Sequence, residues 1–286
     1  MVLNNSLSIV DVVTKSSDFL KKKGVANYKI DAEWIIAHVL ECKRMDLYLR
    51  FGEVISPENL NKIRALIVKR GKRVPLQHIL ENVPFADLNL KCDKRALVPR
   101  HETEYFVQLL INKLTKDFKG KIVDLGCGSG AIILALCYHL QKAKGIGYDK
   151  SVKALKLANE NKIGCNLEDR VKLDTLDWNE EESLSGDIDL IVSNPPYLTE
   201  EEWATAEPEV KMHDPYNSLV AKDDGFADIE RVTMIATNTL NQGGYLAIEF
   251  GLHHLEPIQK IMEKSFDVEI LSDQFLVRRF AFAIKK

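Results

Sequence analysis

No apolar run in this chain approaches the roughly 18–20 residues that cross a bilayer, so no membrane-spanning helix is expected. Cysteine is scarce. Cys42, Cys92, Cys127, Cys137 and Cys165 are odd in number, widely spaced and never arranged as Cys-x-x-Cys. That pattern favours a reduced intracellular protein over a disulfide framework or a zinc site. The seven histidines show no ligand spacing, and the His253-His254 pair reads as a helix start, so no metal is expected. Residues 1–24 lack the basic-then-apolar order of a secretory signal, and the first arginine is Arg44. Neither a signal nor an Arg-rich presequence is expected, and a cytoplasmic location follows. Internal repeats and low-complexity tracts are also missing.

What remains is core material and unevenly placed charge. Hydrophobic residues make up 45% of 286 positions, enough for one large domain and a smaller one. The net charge of −3 conceals an asymmetry: residues 1–80 carry 14 Lys/Arg against 8 Asp/Glu, whereas the remainder is acidic by nine charges. The densest positive stretch is Lys69-Arg70-Gly71-Lys72-Arg73. It reads as a solvated helix end, or as a contact face for an acidic protein or RNA.

Residues from about 5 to 73 have helical periodicity. Asp31 precedes Ala32-Glu33-Trp34-Ile35-Ile36 as a candidate N-cap, and Ser56-Pro57 starts a helix that stops at Gly71. Residues 1–73 are therefore expected to form a small bundle of about four helices. Pro75, Pro84 and Pro99 punctuate residues 74–100, a linker with a short hairpin at Leu88-Asn89-Leu90-Lys91-Cys92. Over residues 101–286 strands alternate with helices. Strands are expected near 121–125, 144–149, 170–174, 188–193, 243–250, 266–271 and 276–284. This α/β pattern predicts a doubly wound, seven-stranded, mostly parallel sheet whose last strand is antiparallel.

Two loops carry the chemistry. After the strand Lys121-Ile122-Val123 comes Asp124-Leu125-Gly126-Cys127-Gly128-Ser129-Gly130. Glycines at alternate positions let the backbone approach a ligand, and the following helix offers unpaired N–H groups. The spacing is G-x-G-x-G, not the dinucleotide G-x-G-x-x-G, and it resembles motif I of class I methyltransferases. Asp124 is placed to meet a methionine ammonium directly or through water. Asp149, closing the next strand nineteen residues beyond Gly130, is placed to accept from both ribose hydroxyls of S-adenosyl-L-methionine. Trp178 is either a cover for the adenine or a rim aromatic, and Cys127 reads as a small loop residue.

The second loop, Asn194-Pro195-Pro196-Tyr197, leaves the apolar strand Ile188-Asp189-Leu190-Ile191-Val192. Two prolines stiffen the turn and remove donors, leaving the Asn194 side-chain carbonyl and the Pro195 main-chain carbonyl as acceptors. Two such acceptors can grip a planar NH2 group and turn its nitrogen lone pair toward an electrophile, with Tyr197 packed on the planar face.

In this order the motifs resemble the HemK/PrmC family of protein-(glutamine-N5) methyltransferases. The likeness extends through Ile30-Asp31-Ala32-Glu33, Pro75-Leu76-Gln77-His78-Ile79-Leu80 and Leu97-Val98-Pro99-Arg100-His101-Glu102-Thr103-Glu104. It implies that Gly126 to Gly130, Asp149, Trp178 and Asn194 line the cofactor site. It also implies that Asn194, Pro195, Pro196 and Tyr197 receive the Gly-Gly-Gln glutamine of a peptide chain release factor. Three positions depart from the pattern: His101 replaces a proline, His213-Asp214-Pro215 replaces Tyr-Glu-Pro, and His254 replaces a glutamine. The alternatives are a nucleic-acid amino methyltransferase acting on adenine N6 or guanine N2, against which the acidic catalytic half argues, and a non-catalytic cofactor-binding module.

Overall fold

The computed structural model describes residues 7–286, which divide into two compact units. One contains the chain up to Glu81 together with Pro208–His213; the other contains Asn82–Glu207 and Asp214–Lys286. The expected helix start near residue 5 lies outside the described residues.

The first unit is built from α1 (Ile9–Lys22), α2 (Tyr28–Val39), α3 (Asp46–Leu49), α4 (Pro57–Gly71) and α5 (Leu76–Leu80). Ser8 and Asp11 close a reciprocal capping box on α1, and Ser56 caps α4 as its sequence indicates. Ile9, Leu20, Ile35, Ile36, Ile63 and Ile67 form the shared core. Gly71 ends α4 where a Cβ would stand 2.6 Å from the Phe19 ring.

Two expectations change in this unit. Asp31 does not cap α2, which starts at Tyr28. It is buried inside the helix, where it accepts from Arg70 Nε at 2.7 Å. The basic stretch is neither wholly solvated nor wholly an open contact face. Arg70 is buried and also lies 2.8 Å from Glu209, which Arg73 approaches at 2.5 Å. Two of the four cations thus serve internal carboxylates, while Lys69 and Lys72 remain exposed. The short helix Pro208–His213, which supplies Glu209, was not evident from sequence, nor were α5 and the helix Glu200–Thr205. At five or six residues each they are too short to establish a period.

The second unit opens with a hairpin, β1 (Asn82–Phe85) and β2 (Leu88–Lys91). Next come α6 (His101–Leu114), β3 (Lys121–Leu125), α7 (Ala131–His139), β4 (Lys144–Asp149), α8 (Val152–Gly164), β5 (Val171–Thr175) and β6 (Leu190–Ser193). The sheet is completed by β7 (Tyr245–Glu249), β8 (Phe266–Ser272) and β9 (Arg278–Lys285) in the order β5-β4-β3-β6-β7-β9-β8. The first five of these strands in the chain run parallel, and β9 runs antiparallel to both neighbours. This is the seven-stranded, mostly parallel sheet that the sequence predicts. Helices cover both faces, so the central strands are apolar throughout: Ile122, Val123, Leu125, Leu190, Ile191 and Val192 are all fully buried. Strand order reverses between β3 and β6, which opens a crevice beyond their carboxyl ends. Among the described residues, no helix is long and apolar enough to cross a membrane.

Replacing Arg70 with Met strands the buried Asp31 carboxylate. We expect the first unit to lose about 3 kcal/mol of stability, with a smaller loss when Asp31→Asn accompanies the change. Urea denaturation followed by Trp34 fluorescence measures this; equal losses in the single and double variants would contradict the pairing.

Candidate active site

The ends of β3 and β6 place the two sequence motifs side by side. Leu125 and Ser193 are register partners, and the Ser193 hydroxyl donates to the Leu125 carbonyl at 2.6 Å. Gly126 therefore starts one loop directly beside Asn194, which starts the other.

The glycine loop folds back on β4. The Gly126 and Cys127 amides donate to the Tyr148 carbonyl at 2.8 and 2.9 Å. Asp149 holds the loop from the other side. One carboxylate oxygen accepts from Gly128 N at 2.8 Å and the other from Ser151 N at 2.7 Å. Gly126 has a φ of +78°, and a Cβ there would lie 2.8 Å from the Trp178 ring. Glycine is required on both grounds.

A cavity of about 410 Å³ lies against this loop. Gly126, Gly128, Asp149, Trp178, Asn194 and Pro196 are among its walls, with Arg95, Ala96 and Leu97 on one side and Pro215, Asn217 and Ser218 at another edge. The Trp178 indole is fixed by donation from its Nε1 to Asp228 at 2.8 Å, and its carbonyl accepts from Arg231 Nε at 2.7 Å. Arg100 reaches the buried Asp214 at 2.6 Å and so ties down the Pro215 edge.

The other sequence-marked residues stand behind this surface. Asp124 is fully buried. One oxygen accepts from Ile133 N at 3.3 Å, and Oδ1 has no hydrogen-bond partner among the described residues. Burial pushes its carboxyl up to about 8. Cys127 is buried and its thiol is pushed well above its ordinary value, chiefly by desolvation, so it has no nucleophilic character. Ser129 is buried, and Gly130 is the N-cap of α7. An unpaired buried oxygen, a second carboxylate at the wall and an aromatic plane fit a nucleoside ligand with a cationic tail. S-adenosyl-L-methionine has both features.

In the acceptor loop, Pro195 and Pro196 are buried, while Asn194 and Tyr197 are half-buried. Asn194 Nδ2 donates to Thr103 Oγ1 at 3.0 Å, and that hydroxyl donates to Glu249 Oε2 at 2.8 Å. The Tyr197 hydroxyl donates to the other oxygen of Glu249 at 3.2 Å. Glu249, almost fully buried at the end of β7, is pushed up to about 7 by desolvation. The Tyr197 and Leu198 amides both donate to the Leu219 carbonyl, at 3.2 and 2.9 Å. Sequence reasoning had no role for Thr103 or Glu249. Thr103 entered only as part of the Leu97 to Glu104 likeness, and the one signal for Glu249 was a lone acid closing the apolar run Tyr245-Leu246-Ala247-Ile248-Glu249.

Named relatives cover most of the chain. Residues 11–80 match the family model described as the PrmC N-terminal domain, and residues 100–210 match the methyltransferase small domain. A release factor glutamine methyltransferase from Fusobacterium nucleatum is 37% identical over 257 residues, covering 89% of this chain and 72% of that protein. The protein of the same name from Deinococcus radiodurans is 37% identical, covering 85% and 86% respectively. The crystal structure of a methyltransferase from Pyrococcus furiosus shares the fold. It has a TM-score of 0.51 at 16% identity, over 70% of this chain and 89% of that one.

The buried acids make ligand-free stability pH-dependent. Asp124 holds a proton in the folded chain up to about pH 8, whereas its ordinary value is 3.8. The associated stability is complete below about pH 4 and is lost as pH rises through about 8, with a slope of at most about 1.4 kcal/mol per pH unit. Asp124→Asn stays neutral, so its urea midpoint should fall less between pH 5 and pH 8 than that of the parent chain. Parallel declines in the two proteins would refute the assignment.

Proposed function

The chain belongs to the release factor glutamine methyltransferase family, and on that premise we propose the reaction in detail: methyl transfer from S-adenosyl-L-methionine to N5, the side-chain amide nitrogen, of the Gly-Gly-Gln glutamine in a peptide chain release factor. The single observation that carries this reading is the orientation of Asn194 at the cavity wall. Its NH2 is tied to Thr103, which leaves its carbonyl oxygen as the free acceptor beside the glycine loop.

The chemistry needs an acceptor at that point. A carboxamide nitrogen is a weak nucleophile because its lone pair is delocalised into the carbonyl. The Asn194 and Pro195 carbonyl oxygens take the two N–H bonds of the glutamine. They draw the nitrogen toward tetrahedral geometry and stabilise the positive charge that grows on it. Tyr197, steadied by Glu249, packs against the amide plane. The bound cofactor supplies an electrophilic methyl on a sulfonium. Asp149 accepts from the ribose hydroxyls, Trp178 covers the adenine, Gly126, Gly128 and Gly130 keep the loop backbone close, and Asp124 acts on the methionine ammonium from behind the surface. Holding the two partners in line supplies several kcal/mol without a strong general base. The N-terminal helical unit, which matches the PrmC N-terminal domain over residues 11–80, takes the role of a grip on the protein substrate in this reading.

Mass spectrometry of a release factor incubated with this protein and labelled cofactor tests the reading. One methyl is expected on the Gly-Gly-Gln glutamine and none when that glutamine is replaced. Asn194→Ala should bind cofactor within about threefold of the parent chain yet lose about 10²-fold or more in kcat. Label on a nucleic acid instead of the glutamine would move the assignment to an amino methyltransferase of bases.

A further inference from the structure

Three elements that are distant in sequence meet behind the acceptor loop: Thr103 on α6, Glu249 at the end of β7, and Asn194 with Tyr197 after β6. None of the chemistry above requires Thr103 or Glu249 to touch substrate, and neither lines the cavity. Both are buried. A buried carboxylate and hydroxyl cost free energy that hydrogen bonds must offset, and here those bonds run to the acceptor loop.

We propose that Glu249 and Thr103 are positioning residues that fix which end of the Asn194 carboxamide faces the acceptor amide. The inference rests on the methyl-transfer reading. Its logic is the donor–acceptor polarity of the chain of hydrogen bonds. An ionised carboxylate only accepts. The Thr103 hydroxyl must therefore spend its proton on Glu249 Oε2, 2.8 Å away, which leaves lone pairs on Oγ1. Those lone pairs accept, so Asn194 must present its NH2 to Thr103 at 3.0 Å. The Asn194 carbonyl oxygen then has only the opposite direction left, toward the cavity. The other carboxylate oxygen takes the Tyr197 hydroxyl at 3.2 Å, so one anion orients both polar members of the acceptor loop.

Reversing the polarity reverses the outcome. A protonated Glu249 can donate to Thr103, which frees the threonine proton for the Asn194 oxygen. The amide then turns, and its NH2 meets the NH2 of the incoming glutamine, donor against donor. Burial holds the Glu249 carboxyl up at about 7, so the switch falls near neutrality. The groups facing it are the Thr103 and Tyr197 hydroxyls, Arg279 from β9, which favours the anion, and Glu102 from α6, which opposes it.

The experiment compares wild type, Thr103→Val, Thr103→Ser and Glu249→Gln in methylation of a full-length release factor, with cofactor affinity measured separately. At pH 8, Thr103→Val should lose about 10²-fold in kcat while cofactor Kd and the KM for the release factor stay within about threefold. Thr103→Ser, which keeps the hydroxyl, should recover to within about fivefold of wild type. Wild-type kcat should fall as pH drops below about 7. Glu249→Gln carries no proton to gain and should lack that acid limb. If Thr103→Val folds poorly, the comparison of pH profiles between wild type and Glu249→Gln decides alone. An undiminished Thr103→Val, a serine variant as poor as valine, or an acid limb retained in Glu249→Gln overturns the inference while wild-type methylation still stands. Absence of methylation by wild type overturns the underlying reading, and this inference with it.

Discussion

The pairing of β3 with β6 is the constraint on which the site depends. Leu125 and Ser193 are the last paired residues of two parallel central strands, and the Ser193 hydroxyl bonds across to the Leu125 carbonyl. A parallel pair ends at the same edge of the sheet, so the loops that follow must emerge together. A one-residue slip would send Asn194 to the other side of the sheet, because side chains alternate along a strand. What prevents the slip is the surrounding apolar burial: Ile122, Val123, Leu190, Ile191 and Val192 have no accessible surface. The hydrophobic core therefore acts on function through register, without touching any ligand.

Around that fixed edge the protein places three buried or half-buried carboxylates, each supported differently. Asp149 accepts two backbone amides, which lets it sit at the cavity wall while holding the glycine loop. Glu249 accepts two side-chain hydroxyls. Asp124 has a single amide and one oxygen without a partner among the described residues, making it the least compensated of the three. Unsatisfied burial of this kind lowers the stability of the empty site and favours any ligand that brings positive charge. A sulfonium and an ammonium are charges of that sign. The empty site thus carries a folding cost that a cationic ligand would offset.

The sheet was legible because parallel strands buried on both faces read as short apolar runs punctuated by turns. Ile188-Asp189-Leu190-Ile191-Val192 and Lys121-Ile122-Val123 announced themselves in that way. The two loops were legible because glycine and proline have few structural substitutes. Several other features were not. Asp31 looked like a cap because a short acid before an apolar stripe is the usual signature; its actual partner, Arg70, lies thirty-nine positions away. Arg70 and Arg73 looked like surface charge because their acid, Glu209, is more than a hundred residues distant. Thr103 and Glu249 are separated by a similar span, and no local pattern couples a helix-start threonine to an acid closing a strand. Period and turn chemistry are local signals; long-range polar pairing is not.

Three positions depart from the family pattern, and the structure shows where each side chain sits. His101 stands where a proline is usual, and it is the first residue of α6, where the backbone N–H lacks an intrahelical partner in any case. Its side chain is exposed, so the exchange disturbs no packing. Asp214 is one methylene shorter than glutamate, yet it still reaches Arg100 at 2.6 Å and keeps the cavity edge tied. His254 directs Nε2 to the Asp224 carbonyl at 2.8 Å; a carbonyl only accepts, so that nitrogen carries the proton. It thereby holds the turn that precedes the helix Ala227–Thr239, where a Cβ on Gly225 would collide with the Tyr197 carbonyl. Each of the three residues thus meets a local need for a donor, an acceptor or a helix-start φ.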